Sequence, residues 1–202
     1  MFGFGNRGES TFVIAGLGNP GNEYKNTRHN VGYKTVDTIA SRFDTSFKKS
    51  RFNADTADIK LPDKRILLVK PLTYMNNSGD CIWRVVSFYK LKPERLIIVY
   101  DDIDLSVGTL RIRQFGGPGT HNGMRSIVEA LGNDRFPRIR IGVGKPPESF
   151  DLKNYVLSGF KDQEIPVIEE TITAAAKAAV DIIEFGVEKS MNLNNSQKSR
   201  DG

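Results

Sequence analysis

The feature that most constrains the fold is a series of short apolar runs, rich in β-branched residues, that alternate with segments of helical spacing. Four of these runs are 11-TFVIAGLG-18, 65-RILLVK-70, 95-RLIIVYDDIDL-105 and 138-RIRIGVG-144. Short apolar runs that end at glycine, proline or acidic residues are typical of buried strands. Because helical segments separate them, the sequence predicts an α/β domain with helices on both faces of its sheet.

Weaker patterns complete the expected organisation of the chain. Alternating side chains predict strands at 52–59 and 108–115, and helical spacing predicts helices at 30–43, 77–89 and 124–131. The clearest helical pattern is 163–185, where apolar residues recur four and three positions apart. The sequence contains no internal repeat and no linker, which favours a single domain.

That domain is expected to span residues 11–189. The glycine-rich segment 1–10 is interpreted as a flexible extension, and the polar segment 190–202 as a disordered tail. No apolar run approaches the ~20 residues that a membrane helix needs, and the N-terminus lacks the features of a secretory signal. We therefore expect a cytoplasmic protein without a membrane partner.

Composition excludes some classes of site and leaves others open. The 202 residues include one cysteine and two histidines, which rules out an internal disulfide and argues against a structural zinc site. The formal net charge of +5 fits a polyanionic partner without requiring one. No metal site is predicted.

Polar segments follow several of the apolar runs, at the points where strands are expected to end. They run from Asn19 to His29, from Tyr74 to Asn77, from Asp101 to Asp104 and from Gly116 to Asn122. Sites in open α/β sheets form beyond the carboxyl ends of the strands. The sequence therefore predicts that these segments converge on one edge of the sheet.

His29 is the candidate for proton transfer in this group, since histidine titrates near neutral pH. One acid of 101-DDID-104 could orient its ring, and the amides of Asn19, Asn76 and Asn122 could stabilise a developing oxyanion. Each residue also has an ordinary interpretation: a hydrogen-bonding loop histidine, a solvated strand end and asparagines that favour turns. Their shared position at strand ends favours the functional interpretation.

The run 16-GLGNPG-21 formally matches the dinucleotide fingerprint and predicts a different activity, that of a nucleotide-binding oxidoreductase. The fingerprint requires a helix to begin within the motif, so that its N-terminus faces the pyrophosphate. Pro20 and the polar residues after it delay the expected helix by roughly ten positions, and Asp37 falls inside that helix. Both features argue against a dinucleotide site.

Five ordered segments carry a more specific resemblance: GLGNPGNEYKNTRHNVG, LLVKPLTYMNNSG, IIVYDDIDLSVGTLRIR, GGPGTHNGMRSI and RIRIGVGKP. They resemble bacterial-type peptidyl-tRNA hydrolase over about residues 11–186. The resemblance implies a single α/β domain around a twisted mixed sheet, with no metal or organic cofactor. It implies hydrolysis of the ester that joins a peptide to the terminal ribose of tRNA.

The resemblance also implies roles for individual side chains. His29 matches the catalytic base and Asp101 its orienting partner. The residues that match substrate-binding positions are Asn19, Tyr24, Tyr74, Met75, Asn76 and Asn122. Arg113 and Arg140 match the pair that binds the 5′ phosphate of tRNA. Which asparagine binds the oxyanion stays open.

Different expectations apply to other positions near these motifs. His121 is expected to have a structural role in its loop. Arg111 and Arg138 could extend a phosphate-binding patch or be solvated strand residues. Pro118 and Thr120 depart from the family pattern, which leaves the presentation of Asn122 open.

The implied partner is peptidyl-tRNA, bound through its acceptor stem and CCA end by a monomer. A rival from another class is an RNA-binding protein that uses the same scaffold without hydrolysis. The presence of His29, Asp101 and the three asparagines favours the enzyme.

Overall fold

The computed structural model describes residues 10–195, and a seven-stranded mixed sheet runs through this part of the chain. The strands are β1 (Ser10–Gly16), β2 (Lys48–Ser50), β3 (Ala54–Lys60), β4 (Lys64–Pro71), β5 (Leu96–Asp102), β6 (Leu110–Arg113) and β7 (Arg138–Gly142). Their order across the sheet is β2-β3-β4-β1-β5-β7-β6. The four central strands β4, β1, β5 and β7 are parallel, and the outer strands pair antiparallel.

Helices cover both faces of this sheet. They are α1 (Val31–Arg42), α2 (Ser78–Tyr89), α3 (Asn122–Leu131), α4 (Leu152–Val156), α5 (Ile165–Phe185) and α6 (Val187–Asn194). Helices α1 and α5 pack against the face that carries Ile14 and Val99. Helices α2 and α3 pack against the face that carries Ala15 and Ile98. The predicted three-layer α/β/α fold is confirmed, because alternate residues of the central strands are buried on opposite faces.

A close glycine contact sets the position of the loop that carries His29. A Cβ added at Gly16, at the end of β1, would collide with the carbonyl of Gly32, in the first turn of α1. A Cβ at Gly32 would in turn collide with the backbone of Leu17 and Val99. The absence of side chains at both positions lets α1 approach the ends of β1 and β5, which brings the preceding turn to the edge of the sheet.

Three short elements were missed by the sequence patterns. Strand β2 holds only three residues at the sheet edge, and α4 only five, so neither produces a measurable periodicity. The third is α6, which lies partly within the predicted tail. Predicted disorder was wrong for 190–195: the Ser190 hydroxyl is buried and donates to the carbonyl of Ala178 at 3.2 Å, and the Asn195 side chain pairs with the backbone of Ile112.

The rest of the tail prediction, residues 196–202, and most of the predicted extension, residues 1–9, lie outside the described residues. Ser10, which was assigned to the extension, is the first residue of β1. Among the helices of residues 10–195, none is long and apolar enough to cross a membrane.

Candidate active site

A cleft of about 800 Å³ lies beyond the carboxyl ends of the central strands. The cleft is lined by every side chain to which the resemblance assigns a role: Asn19, Tyr24, His29, Tyr74, Met75, Asn76, Asp101, Arg113, Asn122 and Arg140. Arg111, considered for a phosphate-binding patch, does not line it. The loop 116–122 and residues 151–153, 156 and 157 of the α4 region complete its walls. The convergence expected at one sheet edge is therefore present, and the α4 wall was not foreseen.

His29 and Asp101 form the centre of the cleft. His29 lies in a 3-10 turn, Arg28–Asn30, directly before α1, and Asp101 is the sixth residue of the fully buried strand β5. The Nδ1 atom of His29 lies 2.9 Å from each carboxylate oxygen of Asp101. The side chain of His29 is 11% exposed and that of Asp101 is 2% exposed. An Nδ1–H that donates to Asp101 leaves the Nε2 lone pair of His29 free to accept a proton.

The charges of this pair follow from its surroundings. Burial lowers the pKa of His29, but the charge of Asp101 and the hydrogen bond to it raise it by more, so the pKa lies above the ordinary 6.5. Burial likewise raises the pKa of Asp101, yet the two neighbouring imidazoles hold it well below its usual range. Asp101 is therefore ionised at neutral pH and stabilises a proton on His29.

His121 is the second of those imidazoles, and its contact with Asp101 was missed by sequence reasoning. Its Nδ1 accepts the backbone N–H of Met124 at 3.1 Å and so caps α3. Since Nδ1 is an acceptor, the proton of the neutral ring is on Nε2, which lies 2.9 Å from Asp101 Oδ1. The expected structural role in the loop agrees with the cap, but His121 also donates to the carboxylate that serves His29.

The three side chains also satisfy a simple spacing test for a metal site, because one possible ligand atom from each lies within 4.8 Å of the others. Their hydrogen-bonding pattern argues for a different use. A ligand nitrogen must offer a lone pair, whereas Nε2 of His121 carries the proton as long as Nδ1 caps α3. The carboxylate is already an acceptor for both rings. The donor set fits a histidine–aspartate–histidine network better than a metal ion.

Asn19 enters the cleft through a network that was not predicted from sequence. The side chain of Asn30, which is buried, accepts from the backbone N–H of Asn19 and donates to its carbonyl, both at 2.9 Å. The Oδ1 of Asn19 accepts from the backbone N–H of Met75 at 2.8 Å. Among the described residues, no protein group accepts from the Nδ2 of Asn19. This amide donor is therefore held in place and left open to the cleft.

The other two predicted asparagines are presented differently. Asn76 lies in the 3-10 turn Met75–Asn77 and Asn122 is the first residue of α3, and both are exposed at the cleft. Tyr74 precedes Asn76 with a positive φ of 55° and is 55% exposed, and its ring meets that of Tyr24 edge-on at 6.5 Å. These side chains form the rim of the cleft, whereas Met75 is buried in its floor.

The arginines of β6 and β7 fall into two kinds. Arg113 is exposed at the cleft, and Arg140 is half-buried and forms an ion pair with Asp102. Arg138 is buried, and its guanidinium donates to the carbonyls of Gly116 and Asp134. Of the two interpretations left open for Arg138, neither a phosphate ligand nor a solvated residue fits, because its terminal nitrogens donate to the backbone carbonyls of Gly116 and Asp134.

The dinucleotide interpretation is wrong for a visible reason. After Gly16–Gly21 the chain enters a 3-10 turn, Asn22–Tyr24, and the first α-helix begins only at Val31. Helix α1 therefore begins ten residues after the glycine-rich turn and not within it, as the fingerprint requires.

The fold and the site together define a single-domain α/β hydrolytic protein with a histidine–aspartate pair in an open cleft. Residues 13–201 match the family model for peptidyl-tRNA hydrolase. The peptidyl-tRNA hydrolases of Caldicellulosiruptor saccharolyticus and Alkaliphilus metalliredigens are each 47% identical over 184 residues, which is 91% of this chain and 96% and 99% of theirs. The chain belongs to the peptidyl-tRNA hydrolase family.

A solved structure agrees with this assignment. The crystal structure of peptidyl-tRNA hydrolase from Acinetobacter baumannii superposes with a TM-score of 0.86 at 32% sequence identity. The match covers 96% of this chain and 98% of the other.

Proposed function

We propose that this protein hydrolyses the ester between the peptide and the 3′-terminal ribose of peptidyl-tRNA. The observation that carries the proposal is the Nδ1 of His29 at 2.9 Å from the buried carboxylate of Asp101, with the remaining ring nitrogen free, in a cleft that Asn19 also lines. Family membership supplies the substrate class, and the geometry of the cleft supports the chemistry.

The reaction begins with water. Nε2 of His29 accepts a proton from a water molecule as the oxygen adds to the acyl carbon, and Asp101 stabilises the imidazolium that forms. When the bond from the acyl carbon to the ribose oxygen breaks, the imidazolium returns its proton to that oxygen. The products are a tRNA with its 3′-terminal hydroxyl restored and a peptide carboxylic acid, which releases the second proton of the water to solvent as it ionises. The ribose oxygen is a better leaving group than an amine, so one base and a few amide donors suffice.

Asn19 is the strongest candidate to bind the oxyanion. Its Oδ1 is occupied by the N–H of Met75, which fixes the amide plane and directs Nδ2 as a donor. Preorganised donors stabilise developing charge because they need little reorientation during the reaction. Asn76 and Asn122, which are exposed at the rim, fit contacts with substrate better.

The remaining predicted residues fit the tRNA part of the substrate. Tyr24, Tyr74 and Met75 offer aromatic and apolar contacts for the CCA end, since bases stack on such side chains. Arg113 and Arg140 offer guanidinium groups that can form paired hydrogen bonds with the 5′ phosphate of the acceptor stem. A monomer acting in the cytoplasm, where translation takes place, fits a cleft built entirely from one chain.

The decisive experiment follows the release of tRNA from N-acylated aminoacyl-tRNA. His29→Ala is expected to lower kcat by roughly 10²–10⁴, the usual contribution of a general base. Asn19→Asp is expected to lower kcat by roughly 10²–10³, because it replaces an oxyanion donor with a like charge. Asn133→Asp, at a loop asparagine that does not line the cleft, is the matched control and should retain activity.

The rival function is RNA binding without hydrolysis. It predicts that wild-type protein binds tRNA yet releases no more product than His29→Ala. That result would exclude the enzymatic proposal while leaving the fold and the family unchanged.

A further inference from the structure

Arg28, the residue before His29, is a buried cation whose side chain lies outside the cleft. It is 3% exposed, and its guanidinium carbon lies 4.6 Å from the ring centroid of Tyr155 and 4.5 Å from that of Phe160. One terminal nitrogen donates to the carbonyl of Val143 at 3.1 Å, and the other lies 2.7 Å from the carboxylate of Glu164. Burying a charge in this way is costly unless well-placed partners offset the loss of hydration.

These contacts join three separate segments to the turn that carries His29. Val143 follows β7, Tyr155 belongs to α4, and Glu164 directly precedes α5. The hydroxyl of Tyr155 also donates to the carbonyl of Val143, so Arg28 and Tyr155 share one acceptor. Glu164 accepts a second hydrogen bond, from the backbone N–H of Lys161 at 2.7 Å, which fixes its carboxylate.

The main chain reinforces the same connection. The backbone N–H of Arg28 donates to the carbonyl of Ser158 at 2.9 Å, and Thr27 forms an isolated antiparallel bridge with Gly159. The turn before the catalytic histidine is therefore attached to the segment that follows α4. A movement of one requires an adjustment of the other.

Helix α4 has one side toward the cleft and another toward Arg28. Leu152, Val156 and Leu157 line the cleft, whereas Tyr155 packs on the guanidinium of Arg28. The helix is only five residues long, and its N-terminus is capped by Asp151. Since so short a helix has little stability of its own, its position depends on contacts such as the stack on Arg28.

We infer that Arg28 is a positioning residue through which the α4 wall of the cleft orients the imidazole of His29 toward the acyl carbon. The inference rests on the proposed function. An acyl chain that contacts Leu152 and Val156 presses on α4, and the stack and ion pair of Arg28 transmit the position of that wall to the His29 turn. Apolar side chains next to the scissile ester are the part of the substrate expected there.

The first test compares Arg28→Met, which keeps a long side chain without the charge, with Arg28→Lys, which keeps the charge without the planar fork. We expect Arg28→Met to lower kcat by about 10-fold or more with less than a twofold change in KM, since small displacements of reacting groups are costly in rate. Arg28→Lys should restore only part of the loss. Arg42→Met, at the exposed end of α1, is the matched control.

A second readout needs no substrate. The chain contains two histidines, so their imidazole resonances can be followed separately by NMR as pH is varied. In Arg28→Met the pKa of His29 should fall toward its ordinary value, because the ring is held less firmly against Asp101. An unchanged pKa of His29 together with an unchanged kcat of the folded fraction would overturn the inference, even if the variant is less stable.

A double-mutant cycle tests the link to α4. Leu152→Ala should lower kcat several-fold in the wild-type background and have little further effect in Arg28→Met. If Leu152→Ala lowered kcat by the same factor in both backgrounds, the proposed coupling between α4 and Arg28 would be wrong. If Arg28→Met does not fold, Glu164→Gln serves in its place, since it removes the anionic partner of Arg28 with almost no change of shape. A wild-type protein that fails to hydrolyse peptidyl-tRNA would overturn the proposed function, while the NMR result would still decide whether Arg28 positions His29.

Discussion

The two histidines of this chain bind the same carboxylate and differ in what they leave free. His29 uses Nδ1 to bind Asp101 and keeps the other ring nitrogen available. His121 uses both nitrogens, one to cap α3 and the other to bind Asp101. Their ring centroids are only 5.0 Å apart, and their side chains are similarly buried, 11% exposed for His29 and 9% for His121. The difference that matters for catalysis is the lone pair on Nε2 of His29, which can accept a proton.

The arginines of β6 and β7 repeat this contrast. Arg113 and Arg138 are direct cross-strand partners in the antiparallel pair of β6 and β7. Arg113 is exposed at the cleft, whereas the guanidinium of Arg138 donates to the backbone carbonyls of Gly116 and Asp134. A guanidinium whose terminal nitrogens donate to the main chain supports the site, whereas Arg113, which is exposed at the cleft, can bind substrate.

The largest loss of activity is expected from a change at Asp101, the residue that both histidines contact. Asp101→Asn removes the charge that stabilises an imidazolium on His29 and should lower kcat by up to ~10⁴-fold, the loss seen when the carboxylate behind a protease histidine becomes an amide. The pKa of His29 should fall below 6.5, because burial still lowers it and the charge that raised it is gone. The measurement is kcat/KM for N-acylated aminoacyl-tRNA from pH 5 to pH 9.

The shape of that profile separates two explanations. If Asp101 only set the protonation state of His29, Asp101→Asn would keep more of the base neutral at low pH and would lose no activity at high pH. We expect the loss to persist at pH 8, because stabilisation of the imidazolium in the transition state is missing at every pH. Asp37→Asn, on the exposed side of α1, is the matched control.

A smaller effect should separate the two arginines. Arg113→Ala is expected to raise KM by about 10-fold, the scale of one hydrogen-bonded ion pair, and to reduce the salt dependence of tRNA binding by about one charge. Arg138→Met should leave that salt dependence intact and lower the free energy of unfolding by about 1–3 kcal/mol, since buried carbonyls lose their donors. Binding isotherms at several salt concentrations and thermal unfolding measure the two outcomes.

The opposite outcome would contradict the distinction between a substrate-binding Arg113 and a structural Arg138. A salt slope that falls in Arg138→Met, or a large loss of stability in Arg113→Ala, would mean that exposure at the cleft does not identify the residue that binds phosphate.

The sequence was sufficient for the central sheet and for the edge where the site lies. The buried runs of β1, β4, β5 and β7 are continuous and apolar, and the polar residues that follow such strands meet at one edge by geometry alone. Elements with few residues or mixed polarity were not predictable. Helix α6 is an example: Asn195, which follows it, pairs both its amide groups with the backbone of Ile112 on the edge strand β6, a contact that no local pattern encodes.

The site, like the fold, was predictable in its central residues and not in their tertiary contacts. The roles of His29 and Asp101 could be predicted from residue type and position. The second hydrogen-bond partner of Asp101 could not, because His121 is 20 residues away and its sequence context resembles a loop. Arg28 and Asn30 were missed for a related reason. Their importance lies in tertiary contacts with Glu164 and Asn19, and nothing in their own segment indicates those partners.

The smallest expected effect tests how the two histidines share Asp101. His121→Asn keeps a side chain that can cap α3 and is too short to reach the carboxylate. Asp101 then has one donor fewer, so more of its charge acts on His29 and the pKa of His29 should rise further above 6.5. The working base is the neutral ring, so activity at pH 7 should fall several-fold or less and recover at higher pH.

The sign of that shift is what makes the test sharp. Asp101→Asn moves the acidic limb of the kcat/KM profile to lower pH, and His121→Asn should move it to higher pH, although both variants remove one member of the same network. If the acidic limb of His121→Asn moved to lower pH, as that of Asp101→Asn should, His121 would support His29 directly instead of competing with it for the carboxylate. In that case His121 would contribute to catalysis together with His29 and Asp101. The presence of a ring nitrogen without a hydrogen-bond partner would then no longer explain why His29 acts as the base.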